Sequence, residues 1–558
     1  MLLFVHAAIV LNAANRLSPV WDEIVYPAAG ATYWHTGQLW LNTEHGPLAK
    51  LISAAPLLAF EPELPMADPS WPARDDYRFG YQFIFHNAIP ARTLIFWSRM
   101  PSVLFSLLTA LLLFLWMRSI WGDAGGIISL LCYMSTPIFL SRASLALLEM
   151  PMYFFILLSL VLHDRWMRQG KILPLLVSGA SLGLALLCKL AALSLVPTYF
   201  ILEIFGNPVP GTSFLQRVKA LATWSLAAAL TIFLAYVPWA GSWPALKHVV
   251  WNLSSFDAQV PFYFHGRLIL HAPAVLSWIS LILKAPLSLG VLGVWGLWIW
   301  RTKGNQPATL LHLEVFAAVT LLTISLRPAV STVQLSPFYL ALAGCAGALG
   351  YYFSSQPRSW QVGLITGLLL LAFFGTFRVH PNYLAYFNFS AGGSEQGYRW
   401  LADSDQDWGQ SLPSLASYLQ AHGNPALLLA YSGAADPRAY GIRYQDLASP
   451  ALVSREYTGE RIDPKSSAIY LAVGTKVLQS EPQRFGWLLN HLQPKTMVDS
   501  CFLVYDVTRN VEAYRWMGYL YLDLQRYSKA KWAFELAQSL DPGNPADRKA
   551  LDLLRKVP

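Results

Sequence analysis

Long apolar runs, each ended by a cluster of charged or turn-forming residues, set the rhythm of the first two thirds of the chain. Eleven of them approach the roughly 20 residues that a helix needs to cross a bilayer: residues 1–17, 96–117, 124–140, 148–163, 172–188, 190–205, 221–240, 273–300, 312–326, 332–353 and 361–377. The pattern predicts a polytopic α-helical membrane protein with about eleven spans. The first run is short and lacks a basic flank or a small-residue cleavage site, which argues against a signal peptide; a start codon placed too late would account for its length. Between the first two runs, residues 18–95 form a long loop whose segments 27–41 and 44–60 carry aromatic and small residues at helical spacing. These segments are too short to cross, so they are expected along the membrane surface, with Trp34 and Trp40 at headgroup level. Pro and Trp dominate residues 62–72, which read as a loop.

The texture changes after residue 377. Ala426-Leu-Leu-Leu-Ala-Tyr431, Ala468-Ile-Tyr-Leu-Ala-Val473 and Phe502-Leu-Val-Tyr-Asp506 are short apolar runs bounded by turn residues, as buried strands are. Residues 411–422 and 482–492 read as helices between them. The chain thus divides into a membrane domain at 1–378, a soluble α/β domain at 379–510 and a helical tail at 511–558. In the tail, Tyr514, Met517, Gly518, Tyr521, Ala530, Phe534, Ala537 and Pro542 match one tetratricopeptide-like (TPR) unit. One such unit cannot bury its own face. Packing on the α/β domain, with residues 546–557 as a capping helix, is the favoured reading; docking of a partner protein is the other.

Composition agrees with a membrane protein: 55% hydrophobic residues, 13% charged, and 22 Trp among 558 residues. The net charge of +8 comes from scattered cations rather than a Lys/Arg-rich tract, which points to membrane orientation and lipid phosphate and away from nucleic acid. With the amino terminus inside, the inner loops hold Arg118, then Arg165, Arg168 and Lys171, then Arg217 and Lys219, then Arg301 and Lys303, then Arg358. The outer side still carries Arg142, Lys189, Lys247, Arg267, Lys284 and Arg327. This arrangement puts the 18–95 loop, the turn at 141–148, the loop at 241–272 and the carboxyl terminus outside. Cys132, Cys188, Cys345 and Cys501 are widely spaced and fit neither a zinc pattern nor an expected disulfide.

Several embedded charges call for an account. Asp22 and Glu23, in Ser18-Pro-Val-Trp-Asp-Glu-Ile-Val-Tyr26, stand where the first apolar run ends. A carboxylate at that boundary is partly desolvated yet open to a polar acceptor, as a base should be; an acidic pair capping the next helix is the plain alternative. Glu149, among leucines and directly before Met150-Pro151, is a functional candidate with Arg142 or a substrate as partner, or else one half of a structural ion pair. Lys189 and Lys284 are single cations in apolar sequence. Each alone could snorkel to the interface; several around one outer cavity would make a phosphate site. Asp403, Asp405 and Asp407 could hold a divalent cation or the acceptor, but they read more simply as a solvated loop capping the helix near Gln410.

The ordered set of motifs resembles the GT-C glycosyltransferases, above all bacterial members of glycosyltransferase family 39, relatives of the protein O-mannosyltransferases and the lipid A aminoarabinose transferase. The residues that carry the resemblance are Asp22-Glu23, His45-Gly-Pro-Leu with Lys50, Arg99-Met-Pro101, Glu149 before Pro151, Tyr263-Phe-His-Gly266, Lys284-Ala-Pro286, Asn382-Tyr-Leu-Ala-Tyr-Phe-Asn388 and Asp403-Ser-Asp-Gln-Asp-Trp-Gly-Gln410. It covers about residues 1–415. Glu149 stands where the family more often has Asp, Ala285 replaces a Thr, and residues 325–337 lack the His-x-Arg-Tyr-like signature of many relatives.

The resemblance implies a multi-pass enzyme of the bacterial cytoplasmic membrane, its carboxyl-terminal part outside, that moves a sugar from a polyprenyl-phosphate donor to an acceptor hydroxyl with inversion. Asp22 would be the base, Glu23 and Glu149 would position the acceptor, sugar or a bound cation, and His45, Lys50, Arg99, Arg142, Lys189, His265, Arg267 and Lys284 would serve donor phosphate or substrate. No cofactor is called for, though a divalent cation could be bound, and the acceptor could be a glycan, a lipid or an exported protein. A transporter would show internal hydropathy symmetry and matched broken helices, which the chain lacks. A scaffold for an envelope-glycan assembly would not need acids at two outer helix ends.

Overall fold

The computed structural model describes residues 1–205, 213–254, 262–269, 273–303, 309–326, 336–354, 358–401, 406–447, 450–455, 459–460, 462–463 and 466–555. Arg327, Asp403 and Asp405, and the start of the 332–353 run, lie outside them. The chain divides into two compact units: Met1–Arg16, Asp22–Phe264 and Ile269–Gln396 form the first, and Leu17–Trp21, His265–Leu268 and Gly397–Pro558 the second.

The first unit is helical, and every expected apolar run that is described lies in helix, but the predicted count of eleven spans is not what the helices provide. Among the described residues, three are long and apolar enough to cross a membrane: Ala91–Met134, Phe214–Tyr236 and Ser359–Phe377. A fourth arises if Ala274–Lys284 and Leu287–Thr302, bent by 101° at their break, count as one span. Two of the expected runs, 96–117 and 124–140, fall in Ala91–Met134, which is two helices that fold back on each other where Gly122 leaves helical geometry at φ 68°, a conformation natural to glycine. Others are shortened: Leu190–Ser194 is a 3-10 turn before Leu195–Phe205, and Gly347–Gly350 is another after Ser336–Ala346. The bend at Ala285-Pro286 follows from proline, which lacks the amide hydrogen that a continuous helix needs and disfavours helical backbone in the residue before it.

The outer-loop segments also fold as helices. Trp21–Thr36 and Leu48–Ala54, the latter continued by a 3-10 segment Ala55–Phe60, replace the two expected surface helices, and Asp76–Phe85 is added. Gly80 lets the last of these lie on the first, since a Cβ there would stand 2.3 Å from the Ile24 carbonyl oxygen. Deeper in the unit a buried polar seam joins three helices. His163 Nδ1 lies 2.9 Å from His312 Nε2, and its Nε2 lies 3.1 Å from Glu203 Oε1.

The second unit is built on a five-stranded mixed sheet. Its strands are Ala426–Ala430, Gln445–Asp446, Ile469–Gly474, Thr496–Val498 and Phe502–Asp506, in spatial order second, first, third, fifth, fourth. Ala426–Ala430 pairs in parallel with both neighbours, and Phe502–Asp506 pairs antiparallel with both of its own. Helices Val511–Asp523, Tyr527–Leu540 and Pro545–Leu554 share one core with the sheet, in which Leu471 and Val473 lie with Tyr514, Met517, Phe534 and Leu551. Arg515 ties the last turn of this helical tail together through Asp547 and Asp541.

Candidate active site

Helix Trp21–Thr36 begins at the end of the first apolar helix and carries both acids in its first turn. They part immediately. Glu23 is fully buried and accepts two hydrogen bonds from Arg99, Nε to Oε1 and Nη2 to Oε2, each 2.7 Å. The Ala146 amide adds a third at 2.7 Å, and Arg99 Nη1 donates to the Ala14 carbonyl at 2.6 Å. This two-pronged pair links the first helix, the Glu23 helix, the long helix Ala91–Met134 and the turn before Glu149.

Asp22 is half-buried instead. Its Oδ2 accepts from the Tyr26 hydroxyl at 2.8 Å, and its Oδ1 faces the Tyr77 hydroxyl at 3.5 Å. Burial first, then the charges of Asp22 and Glu149, hold the Tyr26 phenol well above its ordinary range, so it stays a proton donor. Burial first, then the charges of Asp22, Asp76 and Glu44, raise Tyr77.

Glu149 opens helix Glu149–Gln169 and is 5% exposed. Lys189, just past helix Ile172–Cys188, donates to its Oε1 at 2.6 Å, while Oε2 is buried with no hydrogen-bond partner among the described residues. Arg142 is fully buried in the preceding helix and acts electrostatically on Glu149. Tyr26 therefore lies within electrostatic reach of both Asp22 and Glu149, and His45 is in turn coupled to Glu149, Lys189 and Lys50. Burial, reinforced by those two lysines, holds the His45 imidazole down to about 3, so it is neutral.

The remaining expected residues are Lys50, Lys284, His265 and Arg267. Lys50 is fully buried and donates to the carbonyls of Asn42 and His45, closing the loop before its own helix. Lys284 donates to the Leu384 carbonyl at 2.8 Å and lies 4.2 Å from the Phe387 ring centre. Asn388 completes that contact by donating to the Ile282 and Ala285 carbonyls at 2.5 and 2.8 Å. His265 and Arg267 are exposed and fall in the second unit, where the His265 amide donates to the Trp400 carbonyl at 3.3 Å.

Asp407 departs from the solvated capping role expected of it. It is 2% exposed and accepts from the Gly409 and Lys476 amides and the Thr475 hydroxyl. The helix that follows, Leu412–Ala421, has Ser411 at its start and no side-chain cap. Burial outweighs these bonds and pushes the Asp407 carboxyl up to about 6. Among the described residues, no three of His, Cys, Asp or Glu converge as a metal-holding set. The two tyrosines on Asp22 were not foreseen. Tyr26 had a signal, because a residue four positions along a helix lies on the same face; Tyr77, 55 residues away, had none.

Residues 1–253 match the family described as Dolichyl-phosphate-mannose-protein mannosyltransferase. Among solved structures, the chain is similar to ArnT from Cupriavidus metallidurans bound to undecaprenyl phosphate, at 12% identity over 90% of this chain and 97% of that one, with a TM-score of 0.47. It is also similar to the apo oligosaccharyltransferase of Archaeoglobus fulgidus, at 12% identity over 86% and 70% with a TM-score of 0.45. The third similarity is to the S. cerevisiae protein O-mannosyltransferase Pmt1-Pmt2 complex bound to the sugar donor, at 20% identity over 44% and 33% with a TM-score of 0.34. No curated protein matches the chain in sequence. Asp22, Glu23, Arg99, Arg142, Glu149 and Lys189 all fall within residues 1–253, so the part of the chain that resembles this mannosyltransferase family is the part that holds the carboxylate cluster.

Proposed function

We propose that the chain is a membrane glycosyltransferase of the GT-C type that moves a sugar from a polyprenyl-phosphate donor to an acceptor hydroxyl. The observation that carries this reading is the half-buried Asp22 carboxylate, whose partner Tyr26 lies within electrostatic reach of the Lys189-bound Glu149, within the segment that matches the mannosyltransferase family. The acceptor hydroxyl is a weak nucleophile, and Asp22 takes its proton as the oxygen bonds to the anomeric carbon. The bond from that carbon to the phosphate oxygen breaks at the same time, and polyprenyl phosphate leaves with the electron pair. It departs as an anion, so it needs cations rather than an acid. Lys189, half-buried and bonded to only one Glu149 oxygen, is the best-placed cation, with Arg142 behind it. A single reacting carboxylate suits inversion. Glu23 and Arg99, bound to each other, to the Ala146 amide and to the Ala14 carbonyl, hold the frame.

The chain works in the bacterial cytoplasmic membrane with Asp22 on the outer face and the second unit outside, as the short basic loops on the other side support. The tail is a single TPR-like unit whose apolar face is covered by the sheet. The test compares cells carrying the wild-type chain with cells carrying Asp22→Asn, using mass spectrometry of lipid-linked sugars and exported glycoconjugates. The expected result is accumulation of one lipid-linked sugar and loss of one glycoconjugate, with transfer slowed about 10² to 10⁴-fold. Unchanged pools in the variant would overturn the assignment.

A further inference from the structure

The loop Asp407-Trp-Gly-Gln410 holds the chain just ahead of Asp22. Leu17–Trp21 and Gly397–Pro558 both belong to the second unit. Within it the Ser18 amide donates to the Gln410 carbonyl at 3.0 Å, and the Ser18 hydroxyl donates to the Gly409 carbonyl at 2.8 Å. The same hydroxyl accepts from the Leu412 amide at 3.3 Å, and Ser18 is fully buried.

The loop is braced from behind. Gly409 takes φ 96°, and a Cβ there would stand 2.8 Å from the Tyr431 hydroxyl oxygen and 2.9 Å from Gly433 Cα, so a side chain has no room where this carbonyl is presented. The Tyr431 hydroxyl donates to the same carbonyl at 3.1 Å. Asp407, through its bonds from Gly409, Lys476 and Thr475, ties the loop to the residues that follow strand Ile469–Gly474. Gln410 closes it from the other side, accepting from the Trp408 amide at 2.8 Å and donating to the Gln406 carbonyl at 2.7 Å.

Pro19, Val20 and Trp21 separate Ser18 from Asp22, and they are stiff. Proline has a fixed φ and biases Ser18 to extended backbone. Val20 is fully buried and β-branched. Trp21 opens the helix whose first turn carries Asp22, and the Lys476 ammonium lies 5.8 Å from the centre of its ring. A displacement of Ser18 therefore meets little slack before it reaches Asp22.

We propose that the 407–410 loop is a positioning element for the base: by fixing Ser18 it sets where the Asp22 helix begins, and so where the Asp22 carboxylate stands toward the acceptor. This rests on the reading of Asp22 as the base. Ser18 and Gly409 are positioning residues that act through Asp22. A reacting group displaced by about 1 Å can lose about 100-fold in rate, so hydrogen bonds to one serine govern turnover without taking part in the chemistry.

The test reads placement and transfer separately. In the purified full chain in lipid nanodiscs, 5-fluorotryptophan at position 21 should show a shifted or split ¹⁹F resonance with Ser18→Ala and with Gly409→Ala. In cells, transfer is read by mass spectrometry of the lipid-linked sugar and glycoconjugate pools and divided by the amount of folded chain; it should fall about 10 to 100-fold with Ser18→Ala. Ser18→Cys, a weaker donor of similar size, should fall between Ser18→Ala and wild type. Arg515→Ala breaks the ties to Asp547 and Asp541 elsewhere in the same unit, and should lower the thermal midpoint while leaving transfer per folded chain unchanged. Should Gly409→Ala fail to fold, Ser18→Ala, which deletes one oxygen, carries the test. A position-21 resonance or a transfer rate that Ser18→Ala leaves unmoved, or a loss of transfer that Arg515→Ala matches, overturns the inference. A fully active Asp22→Asn chain overturns the base itself whatever the resonance does, so the two failures are distinct.

Discussion

Consecutive side chains on a helix point about 100° apart, and Asp22 and Glu23 use that angle to enter different environments. Glu23 turns inward to Arg99, and Asp22 turns to a half-buried face lined by two phenols. Breaking a buried pair leaves the surviving charge stranded, whereas replacing both partners can be nearly neutral. Glu23→Gln should therefore lower stability by about 3–5 kcal/mol, read as a drop in the thermal midpoint of the purified chain, and the double change Glu23→Leu with Arg99→Met should recover most of it. The adjacency of the two acids was legible and their division of labour was not, because adjacency carries no information about which face is covered. Arg99-Met-Pro101 was legible as a motif, but its partner lies 76 residues away, beyond the reach of local pattern. Lys50 shows the same limit: it reads as a lone cation after a Gly-Pro turn, and its bonds to the Asn42 and His45 carbonyls of its own loop leave no trace in the residue pattern.

Among the elements, apolar runs were reliable guides to where helices lie and poor guides to where they bend or join. Residues 96–117 and 124–140 read as two runs because Gly122-Asp123 interrupts the apolar pattern, and the backbone does leave helical geometry at Gly122, so that Gly126 folds back to within contact of Phe114. Run 273–300 reads as one span, and proline breaks it by 101°. The helix Asp76–Phe85, which delivers Tyr77, lies in a stretch too mixed in polarity to stand out, and its approach depends on a missing side chain. Gly80→Ala would put a methyl group 2.3 Å from the Ile24 carbonyl oxygen, so this helix must shift outward. The expected cost is about 1–3 kcal/mol, seen as a lower thermal midpoint of the purified chain.

For the molecule as a whole, the change of texture after residue 377 precedes a second unit whose main stretch opens at Gly397, and three of its five strands coincide with the apolar runs at 426–431, 468–473 and 502–506. Gln445–Asp446 and Thr496–Val498 are only two and three residues long and leave no periodicity to find. Nor could composition show that Leu17–Trp21 and His265–Leu268 belong with this unit, since four or five residues carry too little signal. The unit should also respond to pH through Asp407. Its carboxyl is raised from 3.8 to about 6 in the folded chain, so the folded state holds a proton that the unfolded state has released. Its contribution is fully favourable below about pH 4 and is lost as pH rises through 6, a change on the order of 2–3 kcal/mol. Hydrogen exchange of the strand Ile469–Gly474, corrected for intrinsic rate, should show weaker protection at pH 7 than at pH 4.5, and Asp407→Asn should flatten the difference.

The bond from Lys284 to the Leu384 carbonyl spans 100 residues and reaches across the whole of helix Ser359–Phe377. During synthesis the bent segment at Ala285-Pro286 emerges long before the stretch that neutralises it. Until residues 382–388 have been made, a buried ammonium and two backbone carbonyls at the bend must stay hydrated or borrow other partners. The bend is thus fastened by residues made about 100 positions later, and a ribosome that stalls before residue 384 releases a product in which it is still unfastened.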